Sequence, residues 1–468
     1  MANSELSNNL SDKNSRAGWW FGFIWLAVLI IGLAILATYF NPFRLALPFI
    51  LTAIFLIIPE EYGLYSLAFF LPAIEWYFYY RGLEIPLIDL LGLAVFAAFI
   101  LRKIYDRLFR REKFQLRLPV LIPFSFFIIS AFISCFFADY VRDSIWYFVR
   151  WILFFYFVYV VFPVNAIKRE IVLRNTVISL VACGVLVALG GLYSVFIQDW
   201  QYQFVRVIPL TFFNISPLGT NHNLLAEVLI VSLALTQSLK YWFTSRVAKR
   251  WLDILTFFQA LVLVGTFSRA AWIGLGAMIL LWLAVNAKKL SRSVWVILIM
   301  ALIILSPLFV YMYRLQSQYD IGVSSTENRL IMTEIAWDKF LDKPVFGQGD
   351  GTFINFIADD IRFIAKYGEP LDSHGVWQKI ILENGLFGVF TFALLLAGIF
   401  IILGRFWKRF GVRYPWFPPL VLGSIGIVIM EFFNTSYYKG KMWLPIALAL
   451  AAVNLIRAKE RKIKYGKN

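Results

Sequence analysis

The two histidines of this 468-residue sequence, His222 and His374, each stand at the start of a long apolar stretch. His374 lies in PLDSHGVWQKIILENGLFG, where Asp372 or Ser373 could cap the helix that follows. The dipole of that helix would lower the pKa of His374, whereas Asp372 would raise it. If the dipole prevails, the neutral imidazole can take a proton, as a general base does. An ordinary histidine at a membrane interface is the alternative.

His222 lies between Asn221 and Asn223 in PLGTNHNLLAEVL, and asparagine is a common cap at a helix start. Glu227 lies one turn further into the same apolar stretch, and Glu383 lies inside another. A carboxylate within a membrane span is a functional candidate by default. A neutralised or arginine-paired structural role is the alternative for both carboxylates.

Four arginines lie between apolar stretches on the side of the membrane that carries fewer basic residues: Arg206, Arg269, Arg314 and Arg329. Arg269 opens the stretch TFSRAAWIGLGA, so Ser268 is the expected N-cap of that helix. Helix N-termini favour anions, and a guanidinium binds phosphate through two parallel hydrogen bonds. These groups predict a phosphate site; an interfacial arginine that extends to water is the alternative.

Motifs of soluble enzymes are missing, since the sequence contains no Walker loop, HExxH or CxxC. GQGDG at 347–351 is interpreted as a tight turn rather than a phosphate loop. Histidines and carboxylates are not at metal-ligand spacing, and Cys135 and Cys183 fall inside apolar stretches. We therefore expect no metal, no cofactor and no disulfide.

Membrane helices must position these residues. The sequence is 60% hydrophobic and 18% aromatic, with a mean hydropathy of +0.73. Apolar stretches of about 20 residues, the length that crosses a bilayer core, recur along the chain. Such stretches form helices in lipid, because every backbone N–H must be paired within the segment. The predicted fold class is all-α: a polytopic transmembrane helical bundle of 12–14 spans with one large external loop that contains short helices.

The candidate spans lie near 19–40, 43–58, 63–78, 86–102, 119–137, 145–163, 176–197, 222–239, 252–267, 269–286, 294–312, 376–403, 415–433 and 442–457. The second and third are short and contain or adjoin Pro48 and Pro59, so a re-entrant pair would reduce the number of spans from fourteen to twelve.

Charge distribution orients these spans. The linker 102–117 carries seven Lys and Arg and is assigned to the cytoplasm by the positive-inside rule. The predicted domains are a cytoplasmic arm (1–18), an N-terminal bundle (19–312), a large external loop (313–375), C-terminal helices (376–457) and a basic cytoplasmic tail (458–468). Both termini are cytoplasmic in this assignment. The net charge of +16 comes from short basic loops, so no nucleic-acid partner is expected.

The large loop holds ten Asp and Glu against six Lys and Arg, opposite to the balance of the whole chain. Within it, SSTENRLIMTEIAWDKFLDKP predicts a helix with a Ser324–Glu327 capping box and an end at Pro344. A loop of this length is typically functional.

Four of these segments, in this order, resemble motifs of the O-antigen ligase and O-antigen polymerase superfamily of bacterial envelope enzymes. They are NHNLLAEVL, GTFSRAAWIGL, ENRLIMTEIAWDKFLDKPVFGQGDGTF and DSHGVWQKIILENGLFG, and the resemblance covers about residues 205–405. Gly375 follows His374 where the family usually has asparagine.

The resemblance implies a glycosyltransferase that moves a glycan from a polyprenyl-diphosphate carrier to a glycan, lipid or protein acceptor, without a metal and with inversion. His374 would be the catalytic base, and Arg269, Arg329 and, more weakly, Arg206 would bind the diphosphate. The supporting residues would be Ser268, Asp372, Asn223 and Glu383. The implied location is the inner membrane, with membrane lipids around the bundle.

The motifs do not separate a ligase from a polymerase, because both use the same kind of donor. A second class is a transporter or lipid flippase, in which Glu227, Asp253, Glu383 and Glu431 would relay protons or bind ions. A third is haem ligation by the two external histidines, which predicts a Soret band.

Overall fold

A computed structural model describes residues 2–80, 83–198, 205–212, 214–287, 321–434 and 437–465, with a few single or paired residues between 300 and 314. The predicted all-α architecture is confirmed in this part of the chain, where nearly every regular element is a helix. Apolar side chains from most of these helices form one continuous core.

The described elements are α1 (Ala2–Tyr39), α2 (Asn41–Ile57), α3 (Glu60–Phe69), β1 (Tyr77–Tyr80), β2 (Leu83–Pro86), α4 (Leu87–Phe109), α5 (Leu121–Cys135), α6 (Val141–Ala166), α7 (Glu170–Ile197), α8 (His222–Leu239), α9 (Arg246–Gly265), α10 (Arg269–Asn286), α11 (Ile321–Asp342), α12 (Phe353–Asp359), α13 (Ile361–Tyr367), α14 (Val376–Phe410), α15 (Phe417–Glu431) and α16 (Gly440–Tyr465). Helix α6 contains two π-helical segments.

Seven of the described helices are long and apolar enough to cross a membrane: α6, α7, α8, α10, α14, α16 and the Trp19–Tyr39 part of α1. Helices α2, α5 and α15 are apolar but shorter. The chain is therefore a multi-pass membrane protein. The predicted span at 294–312 lies largely outside the described residues.

The predicted span at 63–78 is wrong as a continuous helix. Helix α3 is ten residues long, which is about 15 Å against a hydrocarbon core of about 30 Å. Pro72 has no N–H for a helical hydrogen bond, and the N–H of Glu75 donates instead to the carbonyl of Pro217 at 2.9 Å. The chain then forms a short antiparallel hairpin in which Tyr77 pairs with Pro86. The sequence analysis did not predict these strands.

The basic loops gather at one end of the bundle. Arg102, at the end of α4, donates to the carbonyls of Phe55 and Ile58 at the end of α2. Four ion pairs lie in the same region: Lys168–Glu60, Arg169–Glu61, Lys459–Glu170 and Arg413–Glu460. We call this region the basic end. The opposite end, where α7 and α9 finish and α8, α10 and α14 begin, is called the site end.

Helix α14 is broken at Gly385, whose φ of +63° is left-handed and suits glycine. The segment 344–351 fills the break, because Leu386 donates to the carbonyl of Pro344 at 2.9 Å and Gly349 donates to that of Glu383 at 2.9 Å. A Cβ on Gly385 would lie 2.5 Å from the carbonyl oxygen of Val345. GQGDG is therefore a structural turn that satisfies backbone groups inside an interrupted span.

The large loop predicted at 313–375 contains α11, α12 and α13, which share a small buried cluster: Met332, Ile335, Ala336, Phe353, Ile357 and Phe363, together with Leu382 of α14. In the described part of α11, which starts at Ile321, Ser324 lies within the helix rather than before it, so the predicted capping box is wrong. Glu327 instead pairs with Lys366 of α13. The helix ends at Asp342, as the following Pro344 predicts.

Candidate active site

Helices α8 and α10 begin side by side at the site end. The Asn221 side chain caps α8 by accepting from the N–H of Asn223 at 2.9 Å. The Ser268 hydroxyl caps α10 by accepting from the N–H of Ala271 at 3.3 Å. The same hydroxyl donates to Asn223 Oδ1 at 2.6 Å. The predicted caps are confirmed, and a side-chain hydrogen bond joins the two helix N-termini.

The segment that carries Arg206 is fixed to the neighbouring helix ends. The Gln198 amide donates to the carbonyl of Arg206 at 2.7 Å and accepts from its N–H at 3.3 Å. The next residue, Val207, donates to the carbonyl of Gly265 at 2.9 Å. These bonds hold the backbone at Arg206 between the ends of α7 and α9.

Arg206 contacts His222, with its Nη1 atom 3.4 Å from the imidazole Nε2. A guanidinium can only donate, so Nε2 must accept and the ring proton must reside on Nδ1. Burial lowers the pKa of Arg206. From the sequence, His222 was interpreted as a neighbour of capping asparagines or as a haem ligand. No local pattern could have predicted its contact with Arg206, which belongs to another segment.

Arg206, Arg269 and Arg329 all lie within electrostatic range of the same imidazole, that of His222. Burial, and next the charge of Arg269, lower the pKa of Arg329. Helix α11 holds Arg329 against the start of α14, where Gln378 Nε2 donates to the Arg329 carbonyl at 3.2 Å. We call Arg206, Arg269 and Arg329 the arginine cluster.

The arginine cluster has no carboxylate partner among the residues that the structure describes. All three side chains are partly buried. Gathering like charges away from water is costly without an opposite charge. The cluster therefore has the electrostatic character of an anion site. Arg314, the fourth external arginine, is exposed.

His374 lies in the turn before α14, within electrostatic range of Arg329. Burial lowers the pKa of His374 and Arg329 lowers it further, while Asp372 opposes both. The neutral ring is therefore favoured, but burial and Arg329 favour it, whereas the sequence analysis had named the helix dipole. No hydrogen bond to the ring is found within the described ranges.

The predicted cap of α14 by Asp372 or Ser373 is wrong. The N-cap residue is Gly375, which offers no side chain for a capping hydrogen bond. Asp372 Oδ1 accepts from the N–H of Ser373 at 2.8 Å, and the Ser373 hydroxyl donates to the Gly375 carbonyl at 2.6 Å. These local bonds form the turn that presents His374, so both side chains are engaged before the helix starts.

Comparison with known protein families gives one match. Residues 254–393 match the family model described as O-antigen ligase. The match supports an assignment to the O-antigen ligase family. The match includes Arg269, Arg329 and His374, whereas Arg206 and His222 precede it. No match was found among curated proteins. The family supports a membrane enzyme of the glycan ligase or polymerase type, with a lipid-linked glycan and an acceptor as substrates.

One lysine pairs with two carboxylates near His374, within the residues that match the O-antigen ligase model. Lys379 Nζ lies 2.7 Å from Asp372 Oδ1 and 3.3 Å from Glu383 Oε1. Lys379 and Glu383 are buried, and Glu383 also accepts from the N–H of Phe353 at 3.3 Å. Glu383 therefore has a paired structural environment, although its partner is a lysine and not the arginine expected from the sequence. The four-residue spacing of Lys379 and Glu383 was a signal that could have revealed this pair.

Glu227 has a similar structural environment in α8. It pairs with Lys441 of α16 and accepts from Asn434 Nδ2 at 2.7 Å. Asp253, the third carboxylate of the transporter hypothesis, pairs with Lys240. Three of the four carboxylates of the transporter hypothesis are therefore paired with lysines, Glu227 and Glu383 in the interior and Asp253 at a half-exposed position. This pairing weakens the case for ion transport. The haem hypothesis would need a free histidine nitrogen, but His222 Nε2 already faces the positively charged Arg206 side chain.

Proposed function

We propose that this protein is an integral membrane glycosyltransferase of the O-antigen ligase type. It transfers a glycan from a polyprenyl-diphosphate carrier to an acceptor hydroxyl at the outer face of the cytoplasmic membrane. The observation that carries the proposal is the arginine cluster, which collects three partly buried cations around His222 without a carboxylate among the described residues.

The arginine cluster binds the diphosphate of the donor. Guanidinium groups bind phosphate oxygens through pairs of charge-assisted hydrogen bonds, which lysine cannot reproduce. The free N–H groups at the starts of α8 and α10 add positive potential at the same place. As the glycan leaves the carrier, negative charge grows on the diphosphate, and fixed cations stabilise that charge where it develops.

His374 acts as the general base. Its Nε2 or Nδ1 takes the proton of the acceptor hydroxyl while the acceptor oxygen forms a bond to the anomeric carbon. The bond from that carbon to the diphosphate oxygen breaks, and the polyprenyl diphosphate leaves with the electron pair. One displacement of this kind inverts the anomeric configuration. Burial and Arg329 favour the neutral ring that this role needs.

Asp372, Ser268 and Asn223 act as positioning residues. Asp372 braces the turn of His374 through Lys379. Ser268 and Asn223 lock together the helix starts that carry Arg269 and His222. The basic end faces the cytoplasm by the positive-inside rule, which places both termini there and the site end outside. The acceptor is a glycan, a lipid or a protein, depending on whether the enzyme works as a polymerase or a ligase.

The proposal is tested by transfer assays in vesicles with a polyprenyl-diphosphate-linked glycan and a hydroxyl acceptor. His374→Ala and Arg269→Ala are each expected to abolish detectable transfer while membrane insertion is retained. Lys168→Met, at the basic end, is the matched control and should transfer normally. Full activity in His374→Ala would overturn the assignment of the base.

A further inference from the structure

Trp377 lies three residues after His374 and has no role in the proposed mechanism. It is the second residue of α14, and its indole stacks on the ring of Phe432, which directly follows α15. The ring centroids are 5.2 Å apart and the planes meet at 29°. Trp377 nevertheless keeps 39% of its surface exposed. The indole is therefore held against the protein on one side and remains open to a ligand elsewhere.

The chain that follows α15 lies between the turn of His374 and the start of α8. On one side, a Cβ on Gly375 would lie 3.4 Å from the carbonyl oxygen of Phe432, so the turn beside His374 packs closely on this chain. On the other side, Asn434 Nδ2 donates to Oε1 of Glu227, in the second turn of α8, at 2.7 Å. This short segment therefore connects the two halves of the proposed active site.

Arg329 gives the same placement independently. It lies within electrostatic range of His374 and also of His222. Gln378, the residue after Trp377, donates through Nε2 to the Arg329 carbonyl at 3.2 Å. The start of α14 therefore adjoins both the proposed base and one member of the arginine cluster.

The proposed reaction requires a sugar ring between these two groups. The anomeric carbon forms a bond to the acceptor oxygen beside His374 while its bond to the diphosphate, in the arginine cluster, breaks. The ring that contains this carbon must therefore span the interval between base and cations. A pyranose ring presents C–H groups on its faces, and the electron-rich face of an indole attracts such weakly positive hydrogens.

We infer that Trp377 is the platform on which the first sugar of the donor, the one joined to the diphosphate, packs. This role favours a pyranose with a face free of axial hydroxyls. The inference rests on the proposed function and deepens it, because it assigns part of the donor's affinity to the sugar and not to the diphosphate alone. Phe432 is then a positioning residue that holds the indole.

The experiment compares two ligands: polyprenyl diphosphate that bears one glucose, and bare polyprenyl diphosphate. Glucose is the probe because all its ring hydroxyls can be equatorial, which leaves C–H groups on both faces. Binding to the full-length protein is measured in vesicles of phosphatidylglycerol and phosphatidylethanolamine. Trp377→Ala should weaken binding of the glucose-linked ligand about tenfold, within the range that aromatic contacts give, and leave binding of the bare ligand unchanged.

Two further variants test the ring itself. Trp377→Phe retains an aromatic face and should recover most of the lost affinity. Trp377→Leu keeps an apolar contact with Phe432 but has no aromatic face, so it should repeat the loss even where Trp377→Ala inserts poorly. Equal affinity of the phenylalanine and leucine variants for the glucose-linked ligand would overturn the inference.

Trp337→Ala is the matched control. Trp337 is 52% exposed, and its ring also packs on a phenylalanine, Phe340, with centroids 5.2 Å apart. It lies eight residues after Arg329 on α11, about 12 Å along the helix axis. This variant should bind both ligands like the unmodified protein.

The two ligands also separate the platform from the proposed function. Equal losses for both ligands in Trp377→Ala would show that the indole anchors α14 at the membrane interface, and the inference would fail while the transferase proposal stands. No loss for either ligand would have the same meaning. A glucose-specific loss in a protein that transfers no glycan from any such donor would refute the proposed function and retain the platform.

Discussion

The two ends of the bundle treat positive charge in opposite ways. At the basic end, Arg169 lies 2.7 Å from Glu61 and Arg413 lies 2.9 Å from Glu460, and these arginine side chains are 67% and 52% exposed. At the site end, the arginine cluster is partly buried and no carboxylate pairs with it among the described residues. Local pairing accounts for the charge at the basic end, whereas we propose that an anionic ligand accounts for the charge at the site end.

Lysines at the site end make this contrast sharper. Lys379, Lys441 and Lys439 each lie within 4.0 Å of a carboxylate. The same region therefore neutralises these three lysines internally, whereas the arginine cluster has no carboxylate partner among the described residues. Arginine is also the residue suited to bidentate phosphate binding, since its planar fork matches two phosphate oxygens. Residue type and pairing thus distinguish the structural lysines from the arginine cluster, which we propose binds the ligand.

The largest effect is expected from the loss of the base. His374→Ala should lower kcat for glycan transfer by about 10²–10⁴-fold, the usual contribution of general-base catalysis. Binding of the donor should change little, because the arginine cluster remains. Single-turnover transfer and donor binding, measured on the same vesicles, separate the two. A fall in donor binding with unchanged single-turnover chemistry would assign His374 to binding instead.

The next effect concerns the buried charges that support the site. Lys379→Met leaves Asp372 and Glu383 without their shared cation, and breaking a buried ion pair typically costs about 3–5 kcal/mol. Thermal unfolding in detergent should show a large drop in stability. Lys168→Met removes an exposed ion pair at the basic end and should cost at most about 1 kcal/mol. Similar losses in both variants would mean that Lys379 is not the centre of a buried network.

A smaller but diagnostic effect is expected in the pH dependence of transfer. Burial and Arg329 lower the pKa of His374, so the base stays neutral and activity is lost only when the pH falls below the ordinary histidine value of about 6.5. Arg329→Gln removes a cation and should move this acid limb to higher pH. Asp372→Asn removes a carboxylate and should move it to lower pH. Equal shifts in the same direction would contradict His374 as the titrating base.

The smallest effect is expected from the joint between α8 and α10. Ser268→Ala removes the cap of α10 and the bond to Asn223, which should cost about 1 kcal/mol of stability. KM for the donor should rise modestly, because Arg269 follows the cap directly. Ser245→Ala removes the corresponding cap of α9 at the basic end and should affect stability alone. A larger rise of KM in the Ser245 variant would reverse the comparison.

Much of the fold follows from local sequence rules. Long apolar stretches predict the helices, and the caps at Asn221 and Ser268 follow from side chains that bind nearby N–H groups. The failures have physical causes. Pro72 ends regular structure inside an apolar stretch, where hydropathy alone predicts a span. The break at Gly385 depends on backbone partners in the segment 344–351, which a periodicity argument does not contain.

The sequence pointed to the residues of the candidate site but to only some of the contacts between them. Positive charge on the side opposite to the basic loops singled out Arg206, Arg269, Arg314 and Arg329, because it runs against the orientation rule. The contact of Arg206 with His222 joins two separate segments, so no local pattern reveals it. Whether Glu383 is catalytic or paired likewise depended on Lys379, whose side chain could have faced either way before the fold was known.

Our account requires that the arginine cluster binds the diphosphate of the donor. The direct measurement is the affinity of the purified protein for polyprenyl diphosphate in three forms: unmodified, Arg269→Gln with Arg329→Gln, and Arg169→Gln with Arg413→Gln. We predict that the site-end pair weakens binding at least about tenfold, roughly 1.4 kcal/mol, whereas the basic-end pair leaves it unchanged. Equal affinities in all three forms would contradict the account.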